Sequence, residues 1–427
     1  MRHPRFAAVV VLTLLLLLPR FAAASGFDLF QHGGRATGQA GAFTARASDP
    51  SAVYYNPAAI ARLRGLQLEA GLDFENPTDT YRSPTGGNEA SHVIQFPPSV
   101  YLTWHAAGGS PIALGFGIDS PFYSDMNWDT ALFQGRFLTR RFQLQIFEAH
   151  PVVAYELSDA LSVGGGVRYA YGSMKQGDNA ILQANSIPFP RIEVKRDANS
   201  NVHGYAFDLA LHYARPAWGW GAVYRSSENL KGSGDADYEA RDVPEGVPGL
   251  PQELATRFAR GSVSQSFRLP DELRGGVWVA PYPELRVELD GSFERWSGIP
   301  DTSLTFNPDP FGDGPTVTRR RDWKDTLNLR LGVEGNVNDT LALFGGFGLE
   351  PSPVPSRTLE PGFPRGDAKI YAAGFTYNFP QISFDVGYSI HQYDTRSAAG
   401  QELQNPGVVG RYSARNQVWA AGARWRF

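Results

Sequence analysis

From Leu66 to its last residue the chain alternates apolar and polar side chains with a period of two, in one segment after another. Leu66, Leu68, Ala70, Leu72 and Phe74 share one face, and Gln67, Glu69, Gly71 and Asp73 the other. Ile382, Phe384, Val386, Tyr388 and Ile390 stand in the same way against Ser383, Asp385, Gly387, Ser389 and His391. Such a period puts the two sets on opposite faces of a sheet. About fourteen segments follow the rule, near 66–75, 97–105, 111–119, 143–157, 160–173, 201–213, 217–226, 267–280, 284–296, 324–336, 340–350, 367–378, 381–391 and 412–427. Short turns such as Pro281-Tyr282-Pro283 and Phe379-Pro380-Gln381 alternate with long loops near 76–96, 120–142, 174–200, 227–266, 297–323, 351–366 and 392–411. An even number of antiparallel strands, with short turns at one end and long loops at the other, is the pattern of an outer-membrane barrel. A soluble sandwich or propeller would not sort its connections in this way.

The other constraints agree. After Leu18 no apolar run is long enough for a transmembrane helix. A chain that crosses a membrane must then do so as a closed barrel, because an open sheet edge leaves backbone groups unpaired in lipid. The final strand has an apolar face of Trp419, Ala421, Ala423, Trp425 and the terminal Phe427, which resembles the signal read by the barrel assembly machinery. Residues 1–24 read as a signal peptide: Arg2 and Arg5, an apolar core from Phe6 to Leu18, and Ala22-Ala23-Ala24 before Ser25. With no cysteine the chain is neither a lipoprotein nor a disulfide scaffold, and thiol catalysis is excluded. A net charge of -4 gives no reason to expect nucleic acid as a partner.

Residues 25–65 break the pattern. They are rich in small residues (Gly38, Ala40, Gly41, Ala42) and contain two helix starts, Asp49-Pro50 and Asn56-Pro57-Ala58. Asp and Asn are good N-caps, and proline at the first helical position loses no hydrogen bond. The stretch reads as a plug of short helices packed inside the lumen of the barrel formed by 66–427. The expected fold is therefore an all-β transmembrane barrel of about fourteen antiparallel strands with an N-terminal hatch.

An ordered series of short motifs resembles the FadL-type transporters of the outer membrane. In the plug it comprises Gly26-Phe27-x-Leu29, Gly38-x-Ala40-Gly41, Ser48-Asp49 and Asn56-Pro57-Ala58. In the barrel it continues through Ser120-Pro121-Phe122, Gly135-Arg136-Phe137, Pro151-Val152-Val153-Ala154-Tyr155, Leu269-Pro270, Trp323-Lys324-Asp325-Thr326 and Pro351-Ser352-Pro353-Val354-Pro355. The resemblance implies passive uptake of long-chain fatty acids or other hydrophobic compounds. The ligand would be captured on extracellular loops, pass to an interior pocket, and leave sideways into the membrane at a kink in the third strand. Gly115, Gly117 and Asp119 are the candidates for that kink. Partners would be the hydrophobic ligand, outer-membrane lipid and the assembly machinery, and the expected unit is a monomer.

Other site expectations come from the residues. The loop carrying Phe122, Tyr123, Trp128, Phe133 and Phe137 is too apolar to meet only water, and is expected to form an external capture groove. Asp49, Asn56, Pro57 and Ala58 are the plug and gating candidates. Arg168 and Arg330 point inward by alternation and are possible contacts for a carboxylate headgroup, with Glu148 and His150 beside Arg168 as the competing ion-pair partners. The histidines show no metal-ligand spacing and no phosphate loop is present, so no metal, cofactor or catalytic set is expected. Two alternatives stay open, a general diffusion porin and an outer-membrane lipid hydrolase. Deleting Phe427 should lower the yield of heat-modifiable, folded protein in outer-membrane fractions; undiminished assembly would remove the role assigned to the terminal aromatic.

Overall fold

The computed structural model describes residues 31–106, 108–128, 133–182, 192–243, 245, 249–312, 314–398 and 409–427. The signal peptide and the first plug residues, including the Gly26-Phe27-x-Leu29 motif, lie outside these residues. Fourteen staves form one closed antiparallel barrel. They are β1 (Gly65–Arg82), β2 (Asn88–Ser91 and Pro98–His105), β3 (Ile112–Asn127), β4 (Arg141–Glu156), β5 (Leu161–Leu182), β6 (Ile192–Arg215) and β7 (Trp218–Arg225 and Glu228–Arg241). The circuit continues with β8 (Gly261–Leu269 and Glu272–Tyr282), β9 (Leu285–Glu294 and Asp301–Asn307), β10 (Thr316–Arg320 and Thr326–Asn336) and β11 (Leu341–Glu350). It ends with β12 (Ala368–Asn378), β13 (Ile382–Tyr393, extended by Arg396–Ala398) and β14 (Gly410–Arg426). β14 returns to β1 in continuous register from Gln67 opposite Arg426 to Arg82 opposite Arg411, and so removes the sheet edge.

Burial is inside out relative to a water-soluble protein. Leu102, Leu114, Phe116, Val167, Phe207 and Phe384 are exposed on the outer wall, while Asp73, Glu288, Asp290, Arg330, Asp385 and Arg424 are buried inside it. Such a surface is stable only against hydrocarbon.

Several staves run farther than the alternation suggests. β5 and β6 pair from Leu161 opposite Tyr213 to Leu182 opposite Ile192, about twice the ~10 residues that cross a bilayer. On β6 the outward side chains Leu211, Leu209, Phe207 and Tyr205 give way to His203, Asn201, Asn199 and Asp197, while Val202, Ala198 and Val194 turn inward. The alternation therefore persists but changes sign where the wall leaves the membrane. Parts of the expected loops at 174–200, 227–266 and 297–323 are thus strand. At Leu209, 59% exposed on this wall, Leu209→Arg should cost about 2–4 kcal/mol of stability in refolding titrations into phospholipid vesicles. An unchanged midpoint would mean that this face does not meet lipid.

Candidate functional site

The lumen is layered, and the lowest layer is the plug. Two short helices, α1 (Gly34–Thr37) and α2 (Ala52–Tyr55), and a 3-10 turn at Pro57–Arg62 fill the end of the barrel that carries the short turns. Arg62 donates to the backbone carbonyls of Asp159 and Ser158 in one of those turns. Asn56 caps the 3-10 turn, accepting from the Ala58 N–H at 3.2 Å, with Pro57 at the first position. Its amide also donates to the carbonyls of Thr44 (3.0 Å) and, on β6, Leu211 (3.2 Å). Asp49 caps the turn that leads into α2 in the same way, accepting from the Ser51 N–H at 3.2 Å across Pro50, while the helix proper begins after Ser51. It also accepts from the Ser51 hydroxyl and from Arg35. Pro50 fits this tight turn before the helix.

The wall is shaped to this plug. A Cβ on Gly164 would stand 2.8 Å from Cα and N of Ala58, and one on Gly221 would stand 2.5 Å from the Asn56 amide nitrogen. Neither approach is possible for a larger residue. Inward carboxylates then bind plug backbone: Thr44 N–H donates to Asp290 at 2.7 Å, and Ala45 N–H to Glu288 at 2.8 Å. Glu334 on β10 takes a two-pronged contact from Arg35, at 2.8 and 3.0 Å, and a further one from Arg46 at 3.2 Å. Burial alone would lower the Arg35 guanidinium, but Glu334 and then Asp49 outweigh it and hold its pKa above the ordinary value. Burial prevails at Arg46, which is held below its ordinary value despite Glu334.

Above the plug lies a polar belt. Arg168 donates to Glu148 (3.0 Å) and to the Ser226 carbonyl (2.8 Å), and Arg225 donates to the other oxygen of Glu148 (2.8 Å). His150 contacts Asp208 at 2.8 Å. Arg330 donates to Ser292 (3.1 Å) and Glu350 (2.7 Å). Both headgroup candidates are therefore in ion pairs with the wall.

The third layer is apolar; the family resemblance implies an interior pocket, but not the residues that form this layer. Leu144, Ile146, Met174, Val202, Leu230 and Phe267 point into the lumen and join Tyr81, Tyr412, Trp296, Trp323 and Phe363 in one cluster. A signal for it exists on β4, where same-face residues run Phe142, Leu144, Ile146 and then Glu148, His150. The side chains expected to form an external groove belong largely to this inner chamber. Phe122, Trp128 and Phe133 are buried in it, with Trp128 stacked on Phe133 (5.0 Å between ring centres) and its indole N–H donating to the Pro361 carbonyl. The loop folds inward because three large aromatics gain more from the apolar chamber than from water. Tyr123 is half-buried and accepts from the Gln145 amide, while Phe137 remains exposed beneath the Arg136 guanidinium.

Beside the chamber the wall is interrupted. β3 pairs with β2 only from Ala113 opposite His105 to Ile118 opposite Val100. Its register with β4 then shifts between Asp119 and Phe122, around Ser120-Pro121, where proline cannot donate to the ladder. Gly115 and Gly117 lie below this irregularity in regularly paired strand, and their missing side chains make room for Val53 and Ile60 of the plug. Asp119 borders it and is fully buried. Across the interruption, Asn127 N–H donates to the Ser91 hydroxyl at 2.8 Å. The Gln95 amide, oriented as its neighbours require, reaches the Tyr123 carbonyl at 3.0 Å and the Asp125 N–H at 3.1 Å. Ile94 and Phe96 stand outside it, 44% and 53% exposed.

A family model described as "Outer membrane protein transport protein (OMPP1/FadL/TodX)" matches residues 15–427. The chain belongs to this family. Outer membrane protein P1 of Haemophilus influenzae is 22% identical over 430 residues, covering 90% of each chain. Alkane uptake protein A of Marinobacter nauticus is 22% identical, covering 81% of this chain and 79% of its own. The crystal structure of a Pseudomonas aeruginosa FadL homologue superposes with a TM-score of 0.81 at 18% identity, covering 94% of this chain and all of that one.

As a FadL/TodX family member the protein resides in the outer membrane. The plug residues identified by sequence, Asn56, Pro57 and Ala58, meet the wall glycines directly, and this contact is the testable part of the site. Asn56→Ala removes the bonds to the Ala58 N–H and to the Thr44 and Leu211 carbonyls at a cost of about 1–2 kcal/mol, far below what unfolds a closed barrel. The variant should assemble normally yet show more frequent and larger conductance steps in planar bilayers. Conductance equal to that of the parent would mean that Asn56 does not hold the plug.

Proposed function

We propose that this protein carries uncharged, strongly hydrophobic compounds across the outer membrane, through the apolar chamber and out sideways between β2 and β3. The observation that carries the reading is the position of the interruption. Phe122 and Met126, on β3 at the break, belong to the chamber cluster, and Ile94 and Phe96 lie just outside it. An alkyl chain would thus move from apolar side chains to lipid without entering water, which would cost it about 0.8 kcal/mol per methylene. The direct route to the periplasm is closed by a charged belt and a hydrogen-bonded plug.

Fatty acids and hydrocarbons differ in their headgroup. Arg168 and Arg330 would have to release Glu148 and Glu350 to take a carboxylate, so the belt favours a ligand without charge. The likeness to a protein named for alkane uptake points the same way. The buried aromatics Phe122, Trp128 and Phe133 would hold the ligand, with Phe137 at the entrance. Asp49, Asn56, Pro57 and Ala58 would keep the plug shut, and Asp119 would mark the lateral exit. No bond is made or broken in this reading. We also infer a monomer whose terminal strand is read by the assembly machinery. Residues 25–65 are assigned as the plug and residues 1–24 as the removed leader.

The test compares uptake of labelled hexadecane, palmitate and a monosaccharide by cells or proteoliposomes with the intact protein. Hexadecane should enter fastest at limiting concentration, palmitate more slowly, and the sugar at the background rate. Fast sugar entry would favour a diffusion porin. Palmitate entering ahead of hexadecane would overturn the preference for uncharged ligands.

A further inference from the structure

Beneath the plug, at the mouth formed by the short turns, the barrel holds a cavity of about 400 Å³. It lies on the far side of the plug from the apolar chamber, and the transport route does not use it. Six arginines line it, Arg35, Arg46 and Arg62 from the plug and Arg286, Arg424 and Arg426 from the wall, with Glu334 the one carboxylate among the lining residues. Three of them already share that carboxylate: Arg35 at 2.8 Å, Arg46 at 3.2 Å and Arg286 at 3.9 Å. Arg424 is held by Asp385 at 2.7 Å. Arg426, exposed at the rim, has no carboxylate within 4.0 Å among the described residues.

Two further donors in the lining are buried, and one of them is unused. Arg46 Nε is ion-paired with Glu288 at 3.6 Å, whereas the Trp278 indole N–H finds no acceptor. Both side chains are more than nine-tenths buried. A buried donor without an acceptor is costly, and Trp278 lines the cavity. Arg62 is also paired, with Glu156 at 3.7 Å, and the lining includes the unpartnered Nδ1 of His212, but among the lining residues themselves six cations face one carboxylate.

We propose that this vestibule is a binding site for a small water-soluble organic anion, one that presents carboxylate or phosphate oxygens from the periplasmic side. The volume suits a molecule of several carbons better than a lone inorganic ion. Arginine forks match both oxyanion geometries. Because three of the arginines belong to the plug and three to the wall, a bound anion bridges the two and strengthens closure. The site therefore couples the solute composition of the periplasm to the plug.

Citrate and glycerol 3-phosphate are suitable probes, titrated into the full-length protein in detergent by calorimetry and added separately to each side of oriented planar bilayers. Saturable binding is expected, with each probe displacing the other, and closed dwell times should lengthen only when the probe is added on the short-turn side. Arg286→Gln with Arg426→Gln should weaken binding roughly tenfold or more, while Arg260→Gln, on the outer extension, should leave it unchanged. Heat-modifiable migration of each variant separates lost binding from lost folding, and Arg426→Lys, which keeps the charge, should retain part of the affinity. The proposal is overturned by absence of binding, by affinity indifferent to the double substitution in a folded barrel, or by an effect from the extracellular side. Protection by phosphatidylglycerol vesicles but not by either soluble probe would also overturn it, by assigning the arginines to lipid headgroups.

Discussion

Every backbone donor and acceptor that lies in hydrocarbon must find its partner within the protein, and the pairing of β14 with β1 is where this chain meets that demand. Sixteen consecutive residue pairs, from Gln67 with Arg426 to Arg82 with Arg411, turn an open sheet into a cylinder. Closure fixes which face of each strand meets lipid, and the opposite face then encloses a lumen that must be filled or guarded. Polar and glycine residues on that inner face are what allow a separate segment to dock there. Carboxylates accept from plug amides, and glycines such as Gly164 and Gly221 let its backbone approach. The plug is thus a consequence of the closed ladder as well as an addition to it.

The parts of this architecture legible in the sequence are those in which one face of a strand meets lipid. There the apolar residues recur at every second position, and strand number, turn placement and closure by the last strand follow. Legibility fails where the surroundings change while the backbone does not. Beyond the membrane the outward face of β6 becomes His203, Asn201 and Asn199, and a strand with polar side chains outward and small apolar ones inward reads as loop. The chamber's residues were hidden for a related reason. Leu144 and Ile146 share a face with Glu148 and His150, so an average over that face looks merely mixed. At the plug, residue identity was a sound guide to location and a partial one to role. Asn56 caps its turn and Asp49 caps the turn before α2, but Asp49 also takes Arg35, because an acidic side chain near a buried guanidinium gains from the ion pair as well as from the helix end.

The three layers divide the work between two kinds of force. Apolar contacts in the chamber are non-directional and tolerate ligands of different shape, which suits a carrier of alkyl or aromatic compounds. Contacts in the belt and plug are directional, charged and buried. Removing one partner there leaves an uncompensated charge or an unfilled donor, so intermediate arrangements are disfavoured. The proposed route needs both kinds of contact: an apolar layer that yields to ligand, resting on a floor that does not.

The same contrast accounts for the break between β2 and β3. An interrupted ladder in hydrocarbon would ordinarily leave several amides and carbonyls unsatisfied, each costing a few kcal/mol. Here side chains take over part of the pairing. The Gln95 amide spans the Tyr123 carbonyl and the Asp125 N–H, and the Ser91 hydroxyl accepts from Asn127. Side-chain bonds differ from a ladder in one respect that matters for passage: they break singly, by rotation about a few torsions, whereas ladder bonds separate only when strands move apart. In the route proposed above, a wall sealed by Gln95 and Ser91 would admit an alkyl chain between β2 and β3 while the remaining staves stay in register. Pro121 fits this arrangement because it has no amide to satisfy at the edge, and on the proposed route Ile94 and Phe96 would give an emerging chain an apolar surface at the lipid boundary.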